Sequence, residues 1–242
     1  MYKCYNNFVL FNREWRLQMS SKNKANLCLH SIMCITGGFL GGYAILSRAG
    51  NLGSAQTANI INLVLCFLGR NLGQFLLHLF GVILYFIGIE LYVFLSHKTK
   101  INIERYSIIV NMLGCIVLSF IPLSVDPVSG LLPIFFMMST QWSIFHGTNG
   151  YNSSTIFSTN NFRQMSLGLG EYILTKDKAH IDKAKFFANS LLWYHLGVAA
   201  SYFGCKFFGV QASLLILLPS FAALLVTYKD ALLLLMTKKT IA

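Results

Sequence analysis

Six stretches of this chain, residues 25 to 46, 75 to 95, 107 to 124, 130 to 147, 187 to 207 and 211 to 228, stay predominantly apolar over eighteen or more positions. A run of that length is what an α-helix needs to cross a hydrocarbon layer of about 30 Å, and a compact water-soluble domain has no way to bury six of them. Their apolar residues are continuous and follow neither helical nor strand periodicity, so lipid rather than a one-sided core is their partner. Composition agrees: 55% of the 242 residues are hydrophobic and 11% charged, against roughly 25% charged in an average soluble domain. The chain is therefore expected to be an all-α membrane protein in a lipid bilayer.

Two further segments break this pattern. Residues 54 to 69 are apolar but too short, about 24 Å as a helix. Residues 151 to 172 are long enough but too polar to face lipid. Basic residues choose between six and eight crossings. With six spans and two re-entrant segments, sixteen of the nineteen Lys and Arg lie on one side, and only Arg48, Arg70 and Lys206 on the other. Eight crossings place Lys98, Lys100 and Arg105 on the minority side, which fits the positive-inside rule less well. The expectation is six transmembrane helices plus two short re-entrant or broken helices, with both termini cytoplasmic in a plasma (inner) membrane. Residues 1–24, which carry five Lys or Arg and no cleavable apolar core, read as a cytoplasmic tail. The net charge of +11 flanks apolar runs, so insertion bias explains it and nucleic acid is not an expected partner.

The interruptions resemble each other. A shift of 102 positions lays Thr57 and Asn59 of GSAQTANIINL on Thr159 and Asn161 of SSTIFSTNNF, and a somewhat larger shift lays Phe86-Ile87-Gly88 on Tyr202-Phe203-Gly204. Residues 25–124 and 130–236 then read as two copies of one unit: span, short polar segment, span, span. Three crossings per unit is odd, so the second copy enters the membrane inverted, an arrangement that in many transporters sets the binding site at the midplane between repeats. SAQTANIINL after GGFLGGYAIL, and FFMMSTQWSIFHG followed by SSTIFSTNNFRQM, also resemble the YoaK-like family of bacterial inner-membrane proteins, over roughly residues 30 to 230. The resemblance implies six spans and a domain of unknown function, and carries no reaction or substrate. Family members usually have Thr-Gly-Asn where this chain has Thr57-Ala58-Asn59 and Thr159-Asn160-Asn161.

Backbone that stops halfway through hydrocarbon must be shielded by protein or line a wet cavity. RAGNLGS (48–54) and HGTNGYNSS (146–154) read as extended approaches from opposite faces, with Ser54 or Thr57, and Ser158 or Thr159, capping half-helices whose N-termini favour an anion or carboxylate. On this reading Gln56, Thr57, Asn59, Gln141, Thr159, Asn160 and Asn161 line a solute site; the plainer alternative is that they hydrogen-bond across helices, at about 0.6 kcal/mol each. Glu90, inside a span, and His78 and His195, at nearly equivalent positions of the two units, are candidates for proton coupling, with interface pairing for Glu90 and neutral bonded imidazoles as the plainer readings. Gly37, Gly38, Gly41 and Gly42 form overlapping GxxxG patterns for close helix approach, within the bundle or against a second copy in a homo-oligomer.

Cys4, Cys28, Cys34, Cys66, Cys115 and Cys205 are single and unpaired in sequence, so neither a metal site nor a disulfide framework is expected, and no cofactor is implied. No P-loop, HExxH or GxSxG element is present, which argues against an enzyme. The function that fits is secondary transport or permeation of a small polar or anionic solute. The alternative is a non-transporting accessory or assembly subunit.

Overall fold

The structure, a computed structural model, describes the backbone of residues 2–54 and 56–241 and the side chains of 23–54 and 56–229. The expected tail of residues 1–24 and the end of the second unit beyond residue 229 fall almost wholly outside the described side chains.

The chain runs α1 (Tyr2–Ser47), α2 (Thr57–Leu68), α3 (Leu72–Lys98), α4 (Ile103–Ser119) and α5 (Pro127–Ile144). A two-stranded hairpin, β1 (Gly147–Thr148) and β2 (Tyr151–Asn152), follows, then α6 (Thr159–Thr175) and α7 (Lys178–Phe208). The 3₁₀ segment Gly209–Ile216 leads into α8 (Leu217–Ile241). Three stretches are long and apolar enough to cross a membrane, Asn23–Ser47, Leu72–Lys98 and the continuous run Lys178–Lys229. α4, at 17 residues, falls just short in length, and α5 is a core helix, with Ile134, Phe135, Met137, Met138 and Gln141 sealed from the exterior.

Two central helices organise the bundle. α1 packs against α7 and α8, and α5 packs against α3 and α4. Glycines make both approaches close. A Cβ on Gly81 or Gly88 of α3 would meet Phe135 or Ser139 of α5, one on Gly197 of α7 would meet the Ile35 and Phe39 backbone of α1, and one on Gly204 would meet Leu215 of the 3₁₀ segment. The outer surface carries Phe67, Phe86, Phe94, Leu113, Phe203 and Leu218 exposed, an arrangement stable only where the surrounding medium is itself apolar.

The short segments fold back on their successors. α2, twelve residues long and so about 18 Å, packs antiparallel on α3, with Asn59 at His78 and Phe67 beside Phe75. α6 packs on α7, where Gly168 lets the helices touch at His180 and Ala184.

Boundaries shift from expectation for local reasons. α5 begins at Pro127 because Asp126 caps it, accepting from the amides of Val128 and Ser129. The last span begins as a 3₁₀ turn because Gly209, at φ 57°, reverses the chain and Ser213 then donates to the Cys115 carbonyl of α4. The polar segment at 151–172 starts its helix only at Thr159. Before it lies the hairpin, closed by Asn149 (φ 54°) and Gly150 (φ 81°), the Asn-Gly pair that a two-residue turn with two left-handed residues prefers.

Candidate functional site

The segment between the hairpin and α6 runs through the bundle interior as irregular chain, and its backbone groups need partners there. Asn161, in the first turn of α6, supplies them. Its Nδ2 donates to the Ser154 carbonyl at 2.7 Å, and its Oδ1 accepts from the Ser154 amide at 3.2 Å and the Ser153 hydroxyl at 3.1 Å. Ser190 of α7 donates to the Phe186 carbonyl. The Ser153 hydroxyl also lies 3.2 Å from that of Ser190, and His30 Nε2 of α1 sits 3.2 Å from each hydroxyl oxygen. Where the two hydroxyls donate to Asn161 and the Phe186 carbonyl, His30 Nε2 is the donor to both.

Beside this cluster lies a cavity of about 200 Å³, lined by Asn26, Leu29, His30, Glu104, Ile144, Phe145, Gly147, Thr148 and Asn149. That is room for about six waters at liquid density. Its walls come from α1, the start of α4, the end of α5 and the hairpin, so it belongs to the end of the bundle where the hairpin sits. At the same end Arg105 donates to the Thr227 carbonyl and covers the Tyr228 ring, tying α4 to α8.

Deeper in, Gln141 of α5 is fully buried and spends its whole amide: it accepts from Asn111 of α4 at 2.7 Å and donates to the Met33 carbonyl at 2.9 Å and to Thr155 at 3.1 Å. Asn111 Oδ1 and the Ser107 hydroxyl, on the same face of α4 as Glu104, are buried with no hydrogen-bond partner among the described residues. Polar side chains thus continue inward from the cavity along α4.

The other short segment has its own cluster. Asn59 Oδ1 accepts from His78 Nδ1 at 2.7 Å, which assigns the Nδ1–H tautomer. Its Nδ2 donates to Gln56 at 2.7 Å and to the His78 carbonyl at 3.1 Å. Both asparagines of the Thr-x-Asn elements are buried, while Thr57 and Thr159 are exposed and Gln56 and Asn160 half-buried. No side chain caps α2 or α6. Ser54, expected as a cap, is buried and caps neither helix. Ala58 and Asn160 have ordinary negative φ, so neither helix start needs a glycine.

The remaining expected residues divide. His78 is buried against Asn59, whereas His195 is exposed on α7 and bonded only to the Leu191 carbonyl of its own helix. Glu90 is exposed on α3. The α1 glycines face inward: Gly37 abuts the Thr155 carbonyl, Gly38 the Tyr194 carbonyl, and Gly42 the Ser201 side chain. A Cβ on Gly41 would lie 2.9 Å from the Tyr194 hydroxyl and 3.9 Å from Leu52. The two irregular segments therefore reach α1 one turn apart, Thr155 at Gly37 and Leu52 at Gly41. Among the described residues no group of His, Cys, Asp or Glu has the arrangement of a metal site.

Sequence reasoning passed over His30, Glu104, Ser153 and Ser190. One signal was available, because Thr148-Asn149-Gly150-Tyr151 is a hairpin sequence that fixes where the polar segment turns. The contacts of His30 are separated by more than a hundred residues of chain and had no local signature.

Apolar helices long enough to cross a bilayer, irregular chain buried between them and an outward apolar surface define an integral membrane protein. Residues 29–228 match DUF1275, a family of proteins of unknown function found in bacterial YoaK-like membrane proteins, and the chain belongs to that family. No curated protein and no solved structure matches it.

Proposed function

We propose that this protein is a secondary transporter or permease for a small polar or anionic solute, with six spans in two inverted repeats, and both termini on the cytoplasmic side of the inner membrane. The repeat is supported by packing: α1 meets α7 and α8 as α5 meets α3 and α4. Ile35, which faces Gly197, and Phe135, which faces Gly81, lie a hundred residues apart. The re-entrant reading is supported by α2 and α6, each folded back on the helix that follows it, and sidedness by the basic loops at the hairpin end.

The observation that carries transport is continuity. The cavity reaches His30, His30 bonds Ser153 and Ser190, and Ser153 bonds Asn161 of the Thr-x-Asn element. Gln141 and Asn111 extend the polar route to the α1 glycines. On this reading the solute meets Gln141, Asn161 and Asn160 from the hairpin end and Asn59 and Gln56 from the other, with Thr57 and Thr159 at the helix starts. His78 is then a stronger proton-coupling candidate than the exposed Glu90 and His195.

The second reading, a non-transporting accessory module, is favoured by the engagement of Asn59 and Asn161 within the protein. A thiol at position 153 separates the two. In a chain whose six cysteines are replaced, Ser153→Cys should react with a small aqueous methanethiosulfonate reagent in folded, detergent-solubilised protein. Reaction only after denaturation would make the interior dry and leave the accessory module standing.

A further inference from the structure

Arg48 is the largest fully buried side chain among the described residues, at 1% exposure. Its Nη1 and Nη2 donate to the Pro122 and Ile121 carbonyls at 2.9 Å each, and its Nε has no partner. No carboxylate pairs with it among the described residues. A guanidinium taken from water without a counter-charge is costly, and carbonyls just past the C-terminal end of α4 offset only part of that cost.

Its position gives the cost a reason. The packing correspondence of α1 with α5, Ile35 with Phe135, also sets Asn26 against Asp126 and His30 against Gly130. Asn26, His30 and Thr148 line the cavity at the hairpin end. At the opposite end the Arg48 guanidinium lies against Gly130, where any Cβ would collide with it. One end thus has open space beside His30, and the other has a long cationic side chain packed against the corresponding Gly130.

We propose that Arg48 is the gate residue of the end opposite the hairpin, closed here while the hairpin end is open, and that its withdrawal into water opens that end as the cavity closes. This rests on the transport reading above. Rehydration of the guanidinium offsets the loss of its two carbonyl bonds, so the two states lie close enough in energy for a solute to bias them.

A reciprocal accessibility experiment tests this in detergent, with the native cysteines replaced. In the Arg48 background Thr148→Cys should react readily with a small aqueous thiol reagent. With Arg48→Ala added, the rate at position 148 should fall by about tenfold as the population shifts, and Gly130→Cys, which has room only once the arginine side chain is truncated, should become reactive. Arg48→Lys, keeping charge but not the paired donors, should lie between. An unchanged rate at position 148 with a reactive thiol at 130 would make Arg48 a plug without coupling, and an unreactive thiol at 130 would place no opening there; either overturns the gate. If Arg48→Ala does not fold, the Arg48→Lys rates decide alone, equality with Arg48 at position 148 overturning the proposal. Loss of the transport reading registers separately, as an unreactive Ser153→Cys.

Discussion

Asn59 and Asn161 hold the same place in the two Thr-x-Asn elements, yet one binds a helix and the other binds a loop. Asn59 fastens α2 to α3 through the His78 ring and carbonyl, whereas Asn161 turns back to satisfy both backbone groups of Ser154. The difference follows from what precedes each element. The chain before α6 passes through the interior beside His30, Ser190 and Gln141, so its polar backbone needs a local partner. The chain before α2 is shorter, and Gly53 lets it press directly against Leu131 and Ile134 of α5. A side-chain amide bonds equally well to another side chain or to a peptide, so one residue type serves both purposes.

The largest expected effect tests whether the two halves pack with equal rigidity. A methyl group at Gly197 meets the Ile35 carbonyl, which is backbone, while one at Gly81 meets the Phe135 ring, which is a side chain and can move. Gly197→Ala should cost about 3 kcal/mol or prevent folding, and Gly81→Ala about 1 kcal/mol. Thermal unfolding in detergent, followed by circular dichroism, reads both. Equal losses would mean that the α1–α7 contact yields as easily as α3–α5. Gly170→Ala, with nothing near its Cβ, is the control and should be neutral or slightly stabilising.

The next effect separates the asparagines themselves. Asn161→Ala strands a buried amide and a buried carbonyl, for about 3 kcal/mol, whereas Asn59→Ala strands mainly the His78 Nδ1–H, for about 1.5 kcal/mol. The clusters share no hydrogen-bond partner, so the double variant should show the sum. A strongly non-additive double variant would show that the irregular segments, which meet α1 a turn apart, exchange strain through the glycine face.

Much of this architecture was legible in sequence because membrane crossing leaves a signature in run length alone. α1, α3 and α7 appeared as runs of apolar residues, and the shortness of 54–69 anticipated α2. The two interruptions themselves were also visible, since Thr57, Asn59, Thr159 and Asn161 recur in order. What escaped was everything set by burial between helices. α5 reads as one more span, and nothing in its run length announces that it is central to the bundle, with Gln141 linking α1, α4 and the 155 segment. Arg48 reads as a loop charge at a membrane edge, but the loop folds inward and buries it. Glu104 lies outside the expected span at 107–124, and only the three-dimensional closeness of the α1, α4 and α5 ends brings it to a cavity with His30.

The smallest expected effect distinguishes corresponding positions of the two central helices. Asp126 caps α5 and accepts from Gln74 of α3 at 2.9 Å, while its counterpart under the α1–α5 correspondence is Asn26, which does not titrate. Burial alone would raise the Asp126 carboxyl, but the bonds from Gln74 and from the Ser129 and Val128 amides hold it below its ordinary value. A carboxyl depressed in the folded state contributes stability that is complete above its unfolded pKa, about 3.9, and is lost as pH falls through the folded value. The protein should therefore lose stability on acidification below about pH 4. Asp126→Asn, which still caps a helix but cannot ionise, should flatten that part of the profile while leaving the neutral-pH unfolding temperature within a few degrees. An acid limb of unchanged slope in Asp126→Asn would assign the loss to other carboxylates and remove the Gln74–Asp126 bond as the element that ties the start of α3 to the start of α5.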